Sequence, residues 1–197
     1  DIVYIAPGTY REQVLHGYHG ASGNRIYFIG DPDCEIFGNT VEPGIVRITL
    51  AADTNEFASD GNGTTNGAVV RSNGKDYITW KNVHVDGGSG GISAYNDINS
   101  SYGFYANSET DYMECINCLA QSLRYGFYQV AYSYNCAGMA CFDYNWYRGY
   151  LADSCLGISS GYVNFGYVDL AQNCLAIGGY YGFFYNDKVI NCTAHSF

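Results

Sequence analysis

The last hundred residues of the chain repeat one short pattern of polar, small and apolar positions. An Asn-Cys step, replaced once by Ser-Cys, recurs at intervals of 18, 19, 19 and 18 residues. A Gly or Asn followed by Phe or Trp precedes each of the last four cysteines by ten residues, and Ala or Gly follows every cysteine after two residues. A constant period with constant internal chemistry predicts a stack of one supersecondary unit.

The repeated unit is too short for a pair of helices, but it is long enough for three short strands. Alternation along a strand places each cysteine, and the small residue two positions later, on the inward side. Complementary volumes across a thin core then place the large rings inside as well; these are Phe127, Trp146, Phe165 and Phe183. The pattern therefore predicts an all-β fold, a parallel β-solenoid with 18–19 residues per regular coil.

The Asn and Cys residues of the repeat are predicted to form two stacked columns. Asn tolerates the left-handed backbone of a tight turn, and its amide can bond to the next Asn in a ladder. Parallel strands lie about 4.8 Å apart, so equivalent side chains of successive coils nearly line up. The cysteines are interpreted as small apolar filler rather than as disulfides or metal ligands. The predicted ladder comprises Asn82, Asn117, Asn135, Asn173 and Asn191 with Cys118, Cys136, Cys155, Cys174 and Cys192, and Ser154 interrupts it once.

Residues that alternate with the inward cysteines should face outward, yet most of them are apolar. They are either scattered surface residues or a subunit contact along the sheet. Neither end of the sequence shows a polar cap, so we expect that the chain is a fragment, has lost its caps, or meets other copies at its ends. The expected partner is another copy, in a homo-oligomer or a head-to-tail assembly. The predicted interface comprises Leu119, Met139, Leu156, Ile158, Leu175 and Ile177.

The first half of the chain follows the same organisation less regularly. Strand-like runs at 25–29, 35–38 and 45–51 are separated by Gly, Asp and Pro. The stretch from Tyr77 to Gly87 aligns with the first Asn-Cys coil at an offset of 35 residues, which indicates an excursion between the two coils. We therefore expect a single domain over residues 1–197, with loop insertions near 53–67 and 96–111.

Composition and charge restrict the possible partners. The chain contains 25 Gly and 21 Tyr but only 3 Pro, which suits short strands joined by tight turns. The formal net charge of −10 argues against nucleic acid or an anionic membrane as a partner. No run approaches the roughly 20 apolar residues that a membrane-spanning helix needs.

The N-terminal stretch adds a resemblance to a known family. Residues 2–12 read Ile-Val-Tyr-Ile-Ala-Pro-Gly-Thr-Tyr-Arg-Glu. This stretch resembles the opening coil of the pectin-lyase-like right-handed parallel β-helix superfamily, in which a V-x-P-G-x-Y-x-E step is frequent. The resemblance implies a single-stranded right-handed parallel β-helix. It also implies a place outside the cell, at a cell surface or a virion surface, because such stacks recur in secreted adhesins, polysaccharide-active enzymes and phage tailspikes.

The sequence contains few of the residues with which this superfamily cleaves acidic polysaccharides. The sequence contains no G-H-G or N-T-D motif, and it lacks the multi-aspartate calcium cluster expected of a pectate lyase. The best pair of carboxylates, Asp169 and Asp187, occupies one repeat position in adjacent coils. The pair could share a proton, hold Ca²⁺, act as acid and base, or simply be solvated. His84 is predicted to face outward on a strand, and no acid or nucleophile partner is identifiable for any of the four His.

Weaker candidate sites concern surface chemistry. Outward rings such as Tyr128 and Tyr147 could stack on the faces of sugars. Asn62 and Asn99 begin glycosylation sequons on predicted loops. The polar loop 53–66 offers oxygen ligands for Ca²⁺ without the spacing of a known calcium loop, and no other cofactor or metal is expected.

These observations favour a non-enzymatic structural or assembly protein of an extracellular fibre, a cell surface or a virion spike, with glycans as a candidate ligand. Two alternatives remain open. The first is a polysaccharide lyase or glycoside hydrolase that acts on acidic polysaccharide through Asp169 and Asp187. The second is a carbohydrate-binding module.

Overall fold

The computed structural model describes residues 1–12, 14–38, 43–49, 67–72, 74–87, 101–108, 112–158 and 161–195. These residues form 21 strands, and the pairings between the strands are parallel. In chain order the strands are β1 Ile2–Ile5, β2 Gly8–Arg11, β3 Val14–Leu15, β4 Ile26–Gly30, β5 Val46–Thr49, β6 Gly67–Arg71, β7 Ile78–Lys81, β8 His84–Asp86, β9 Ser101–Tyr105, β10 Glu114–Ile116, β11 Leu119–Gln121, β12 Tyr125–Tyr128, β13 Tyr132–Tyr134, β14 Ala137–Met139, β15 Tyr144–Asp153, β16 Leu156–Ile158, β17 Val163–Gln172, β18 Leu175–Ile177, β19 Tyr181–Phe184, β20 Lys188–Ile190 and β21 Thr193–His195.

The strands fall into three rows, which the chain visits in strict rotation. Row A contains β1, β4, β7, β10, β13, the second halves of β15 and β17, and β20. Row B contains β2, β5, β8, β11, β14, β16, β18 and β21. Row C contains β3, β6, β9, β12, the first halves of β15 and β17, and β19. One passage through rows C, A and B is called a repeat below.

The predicted all-β class is confirmed, because the described chain is nearly all β and its parallel strands form a 13-stranded and an 8-stranded sheet. The architecture is compatible with a solenoid. The offset of 35 residues is confirmed as well, since Thr79 pairs with Glu114 and Lys81 pairs with Ile116. Further along the chain the offset falls to 19, as in the pairing of Leu156 with Leu175.

Two assignments from the sequence need correction. Glu35, Ile36 and Phe37 form a turn instead of a strand, because the Asp31 carboxylate accepts hydrogen bonds from their backbone N–H groups at 2.9, 2.8 and 3.1 Å. The interval 96–111, predicted as a loop insertion, contains strand β9, which pairs with β6 and β12 in row C. The rest of that interval that was assigned to the loop, 96–100 and 109–111, lies outside the described residues, as do 53–66.

A column of stacked rings fills the interior behind row C. The ring centroid of Trp146 lies 4.8 Å from that of Phe127 and 4.5 Å from that of Phe165, with interplanar angles of 10° and 14°. Phe104 and Phe183 extend the column at 5.3 and 5.1 Å. Each such pair contributes about 0.5–1.5 kcal/mol beyond the burial of its area. The predicted inward position of these rings is confirmed by their contacts.

A bulge that recurs in successive repeats brings a second residue of row C inward. The register between β12 and β15 pairs Phe127 with Trp146, but it skips the preceding residues Gly126 and Asn145. Asn145 is fully buried although the adjacent Trp146 is buried too. Two neighbouring residues on the same side interrupt the alternation of a regular strand, which is the effect of a bulge.

The residue at the bulge and the small residue opposite it in row B have complementary volumes. Where the bulge holds Asn, the opposite residue is Gly: a Cβ on Gly138 would lie 2.6 Å from the Cβ of Asn145, and one on Gly157 would lie 2.8 Å from Oδ1 of Asn164. Where the bulge holds Gly, the opposite residue is Ala, as in Gly126 with Ala120 and Gly182 with Ala176 and Ala194. The filled volume therefore stays nearly constant along the stack, as close packing requires.

The two buried asparagines also form a short chain of hydrogen bonds, although Oδ1 of Asn145 has no partner among the described residues. Asn145 Nδ2 donates to Asn164 Oδ1 at 2.7 Å, and Asn164 Nδ2 donates to the Gly178 carbonyl at 2.7 Å. A buried amide without a partner would cost about 1–3 kcal/mol. Hydrogen bonding therefore favours Asn in two successive repeats together rather than in one alone.

The Gly157→Ala substitution should destabilise the fold by about 1–3 kcal/mol, because the added Cβ would overlap Asn164. Adding Asn164→Gly recreates the Ala–Gly combination of other repeats, so the double variant should be less destabilised than the sum of the two single variants. A double-mutant cycle measured by urea denaturation gives this coupling. Gly17→Ala, where nothing lies within 4 Å of the added Cβ, is the control. Additive losses in the cycle would contradict the complementary-volume relation.

His16 adds a titratable ring to the stacked interior. It stacks on Phe28 and Trp80 at centroid distances of 5.1 and 5.6 Å, and its Nε2 accepts a hydrogen bond from the Trp80 indole N–H at 3.2 Å. His16 is only 4% exposed, and burial lowers its pKa from 6.5 to about 4. The folded state therefore favours the neutral ring, whereas the unfolded chain takes up the proton near its ordinary pKa.

Acid should therefore weaken the packing around His16. The stabilisation that depends on the neutral ring is present above pH 6.5 and is lost as the pH falls toward 4, by about 3 kcal/mol in total. The variant His16→Gln keeps an acceptor for Trp80 but does not titrate, so the difference between the two proteins isolates His16. Denaturation at pH values above and below this window, followed by Trp80 fluorescence in a Trp146→Phe background, measures it. Equal pH dependence in both proteins would show that His16 does not carry the effect.

Candidate functional site

The predicted Asn column lies at the corner between rows A and B. Asn82, Asn117, Asn135, Asn173 and Asn191 all have left-handed backbones, with φ between 50° and 56°, and Ser154 joins them at 55°. The Asn117 amide donates to Asn82 Oδ1 at 3.2 Å. This corner turns the chain in each repeat, which is a structural role.

Asp153 supplies the acceptor at the point where Ser154 interrupts the column. Its carboxylate accepts hydrogen bonds from Gln172 Nε2 at 2.9 Å, from Asn173 Nδ2 at 3.1 Å and from the Ser154 hydroxyl at 3.0 Å. The hydrogen bond from Gln172 is the largest cause that lowers the pKa of Asp153. This role was not predicted from the sequence, although Asp153 immediately precedes the only serine of the column.

The cysteine column lies inside the same corner. Cys118, Cys136, Cys155 and Cys174 are buried, Cys192 is half-buried, and each thiol lies 3.2–3.5 Å from backbone carbonyl oxygens that can accept its hydrogen bond. Burial raises the pKa of the Cys136 thiol and raises that of Cys141 to about 12. A buried thiol that stays protonated, such as that of Cys136, is inert, because the thiolate is the reactive form. Among the described residues, no group of three or more His, Cys, Asp or Glu side chains is arranged to hold a metal ion.

The outward side of row B carries the predicted interface. Leu119, Met139, Leu156, Ile158, Leu175 and Ile177 are all half-buried and occupy equivalent positions in four adjacent strands. Four strands about 4.8 Å apart and two residues wide cover only about 130 Å². Apolar patches that mark interfaces usually measure a few hundred Å². The strip by itself is therefore too small to hold two subunits together.

His84 has an acid neighbour, contrary to the expectation from the sequence. His84 and Asp86 share the outward side of β8, and Gln121 Nε2 donates to Asp86 Oδ2 at 2.9 Å. Burial is the largest cause that lowers the pKa of His84, and the positive charge of Arg47 lowers it further, while Asp86 acts in the opposite direction. His84 also lines a surface depression of about 330 Å³, together with Asp33, Asn82, Asn117 and Leu119. The alternation of His84 and Asp86 along one strand was a signal available in the sequence.

Asp169 and Asp187 lie side by side, as one repeat position in adjacent repeats requires. Leu170 pairs with Lys188 in row A, so the residues that precede them are neighbours. Both Asp residues are exposed. Partial burial raises the pKa of Asp169, and the negative charge of Asp187 raises it further. The two carboxylates are close enough to share a proton, but both are exposed to solvent.

The outward side of row C is covered by two columns of tyrosines. In one column, Tyr125 stacks on Tyr102 and Tyr144 at centroid distances of 5.1 and 5.7 Å. In the other, Tyr128 stacks on Tyr105 and Tyr147 at 5.2 and 5.1 Å. Burial raises the pKa of Tyr102 and of Tyr144 to about 12, so these phenols stay protonated and can donate hydrogen bonds.

The stacking limits what the predicted sugar-contacting residues can do. Both faces of the Tyr128 ring are covered by its neighbours in the column. Tyr147 has one face on Tyr128, and the Arg148 guanidinium lies 5.5 Å from its ring centroid. Sugar stacking on the face of Tyr128 is therefore blocked. These two residues offer a ligand their ring edges and hydroxyl groups instead.

A more open set of rings lies in the last two repeats of row C. The outermost rings, Tyr180 and Tyr185, are each 73% exposed. Phe184 lies in the middle, with centroid distances of 6.2 Å to Tyr162, 5.7 Å to Tyr167 and 4.5 Å to Tyr185. These rings are called the aromatic platform; its members are Tyr162, Tyr167, Tyr180, Tyr181, Phe184 and Tyr185.

The backbone of the platform is unusual for aromatic residues. Tyr167 and Tyr185 have φ values of 57° and 51°, in the left-handed region that Gly and Asn normally occupy. The equivalent corner residues of the two preceding repeats, Gln129 and Arg148, have the same backbone, with φ values of 54° and 59°, so this conformation belongs to the corner of the repeat. It turns Tyr167 and Tyr185 at the corner between rows C and A, where the two rings stack at 5.6 Å. The platform was not predicted from the sequence, although the density of Tyr between 180 and 185 is a signal for it.

No family model, curated protein or solved structure matches this chain. None of the described residues forms a long apolar helix of the kind that crosses a bilayer. The predicted glycosylation sites Asn62 and Asn99 and the predicted calcium loop 53–66 lie outside the described residues.

Proposed function

We propose that the chain is a single-stranded right-handed parallel β-helix of the pectin-lyase-like kind. The rotation of the chain through three rows of parallel strands supports a helical path. Connections between parallel strands of one sheet are right-handed in roughly 98% of cases, which supports the hand. The resemblance of residues 2–12 to the opening coil of that superfamily points the same way.

The function that this geometry supports best is a non-enzymatic structural role outside the cell, in a fibre, at a cell surface or on a virion spike, with glycan contact through the aromatic platform. One observation carries the proposal, namely that Tyr162 and Tyr167 are exposed although a repeat pairs with theirs on each side. Exposed aromatic rings held by rigid neighbours lose little entropy when a ligand binds. Sugars present apolar C–H faces to such rings and hydroxyl groups to their phenols.

A second candidate function has a specific observation in its favour. Asp169 and Asp187 are neighbours, and the pKa of Asp169 is raised, which suits a carboxyl group that delivers a proton. A lyase or glycoside hydrolase that acts on acidic polysaccharide would use this pair. Its weakness is that both carboxylates are exposed, whereas catalytic acids are usually tuned by deeper burial.

Self-association remains part of the proposal. The apolar strip on row B is too small to act alone, so a homo-oligomer would need the neighbouring half-buried residues of row B as well. A head-to-tail contact would instead continue the three rows from one copy into the next. Light scattering of the purified chain over a range of concentrations distinguishes both arrangements from a monomer.

Binding to immobilised polysaccharides should depend on the platform. Replacing Tyr180 and Tyr185 together by Ala should weaken retention on the preferred glycan several-fold, because the most exposed rings are lost. Affinity electrophoresis against a panel of neutral, acidic and amino-sugar polymers measures this. Tyr18→Ala removes a ring that is 82% exposed elsewhere and serves as the control. An equal effect of the control, or no retention on any polymer, would argue against glycan contact at the platform.

Incubation with pectin, alginate or related polyuronates should release neither unsaturated nor reducing sugars, because the exposed Asp pair lacks the environment of a catalytic acid. Ultraviolet absorbance at the wavelength of unsaturated uronates and a reducing-sugar assay are the measurements. Turnover that disappears in both Asp169→Asn and Asp187→Asn would establish the enzyme instead.

A further inference from the structure

The tyrosines on the outward side of row C pair in register with their own equivalents over three successive repeats. Equivalent Cα atoms on adjacent parallel strands lie about 4.8 Å apart. All of these rings are half-buried, so part of each ring stays accessible to a small oxidant. They are called the tyrosine columns; the members are Tyr102, Tyr125 and Tyr144 in one column and Tyr105, Tyr128 and Tyr147 in the other.

Neighbouring rings within a column are nearly parallel. Their centroids lie 5.1–5.7 Å apart, and their interplanar angles are between 9° and 24°. Because the backbones are in register as well, rotation of the side chains is enough to bring the ortho carbons of two neighbouring rings together. Groups that are held close in this way react as if each were present at a very high local concentration.

The two columns also contact each other within every repeat. The ring pairs are edge-to-face, with centroid distances of 4.9 Å for Tyr102 with Tyr105, 5.2 Å for Tyr125 with Tyr128 and 4.8 Å for Tyr144 with Tyr147. An electron vacancy on one ring can pass to the next, because the rings are chemically alike and touch. Two vacancies formed anywhere in the columns can therefore meet on neighbouring rings.

The proton of an oxidised phenol has an acceptor beside one of these rings. Burial raises the pKa of Tyr102 and of Tyr144 to about 12, so the proton must leave together with the electron. Burial is the largest cause that raises the pKa of Tyr125; the charge of Arg124 acts in the opposite direction, and the charge of Asp143 and a hydrogen bond to it raise the pKa further. The Asp143 carboxylate is fixed by Arg124, whose Nε donates to it at 2.6 Å. A base is thus in place at the middle ring of one column.

We propose that the tyrosine columns are a modification site, at which a one-electron oxidant joins equivalent tyrosines of adjacent repeats into dityrosine. Each of two phenols gives one electron to the oxidant and its phenolic proton to Asp143 or to water. The two radicals carry spin at their ortho carbons, where a carbon–carbon bond forms between the rings. The hydrogen on each bonded carbon is then replaced on the phenol oxygen, so the product keeps both hydroxyl groups and has lost two hydrogen atoms in all. This inference goes beyond the proposed glycan contact and does not depend on it.

Photo-oxidation of the dilute, purified chain with a ruthenium bipyridine sensitiser and persulfate tests the proposal. Blue dityrosine fluorescence should appear in a product that migrates as a monomer on a reducing gel. Trypsin cleaves after Arg124 and so separates Tyr102 and Tyr105 from Tyr125 and Tyr128. Mass spectrometry should find these two fragments joined and lighter than their sum by two hydrogen atoms. The urea midpoint should rise, because a covalent loop restricts the unfolded chain.

Phenylalanine variants locate the bond. Tyr125→Phe combined with Tyr128→Phe keeps the stacked rings but removes the phenols from the middle of both columns. The tyrosines that remain in each column lie two repeats apart, about 10 Å, so the joined fragments should disappear. Tyr132→Phe combined with Tyr134→Phe removes the same number of half-buried tyrosines from row A and is the matched control, in which the joined fragments should persist.

A second variant keeps the test decisive where phenylalanine in the middle of the columns disturbs the fold. Tyr102→Phe combined with Tyr105→Phe leaves the other four column tyrosines intact, all of them in the tryptic fragment 125–148. That fragment should still lose two hydrogen atoms, without being joined to the fragment before it.

The outcomes are distinct from those for glycan contact. Dityrosine that forms only between chains, joined fragments that survive the variant in the middle of the columns, or the absence of any dityrosine would overturn the proposal. Bonds that lie mainly between non-equivalent tyrosines would overturn it as well. Retention on polysaccharides does not enter any of these measurements, so either proposal can fail while the other stands.

Discussion

Every residue in the stack lies against its own equivalent in the next repeat, and this constraint governs the rest of the structure. Parallel strands about 4.8 Å apart bring like side chains together, so each column must consist of residues that attract their own kind. The rings from Phe104 to Phe183 stack, and the buried Asn145 amide donates to the Asn164 amide, which in turn donates to the Gly178 carbonyl. A column of like charges does not meet this condition, because its members repel one another. Where two carboxylates do coincide, at Asp169 and Asp187, they stay at the surface, and partial burial together with the charge of Asp187 raises the pKa of Asp169.

At the corner between rows A and B, the backbone conformation of one residue and the side chain of the next both allow equivalent residues to stack. A left-handed residue at this corner in each repeat, Asn or once Ser, turns the chain from row A into row B without a glycine. The cysteine that follows is small enough for the interior, and its thiol can donate weakly to carbonyl oxygens that the corner leaves within reach, as at Ser133 and Asp153 for Cys155. Serine would fit the volume but would bury a stronger polar group, whereas alanine would leave those carbonyl oxygens without this contact.

Much of the fold could be predicted because the sequence repeats at a nearly constant interval. The period, the inward rings and the offset between Thr79 and Glu114 follow from residue spacing alone. The bulge could not be predicted, since strict alternation would send either Asn145 or Trp146 outward, and only the fold shows that both are inside. The same limit applies to Tyr128. Its outward position follows from the pattern, but the loss of both ring faces to Tyr105 and Tyr147 depends on the orientation of the rings along the stack.

The platform exists because one repeat departs from the pattern of the others. In the outward columns of row C, Tyr144 and Tyr147 pair with Val163 and Gly166, so both columns lose their ring at the same repeat. The Tyr144 ring then lies against Gly166, where an added Cβ would come within 2.6 Å of it. The tyrosines of that repeat, Tyr162 and Tyr167, lie one residue before and one residue after the two column positions. Tyr180 and Tyr185 of the next repeat stack on them. The tyrosines of these two repeats therefore stack in pairs at the two edges of row C instead of in the columns between them.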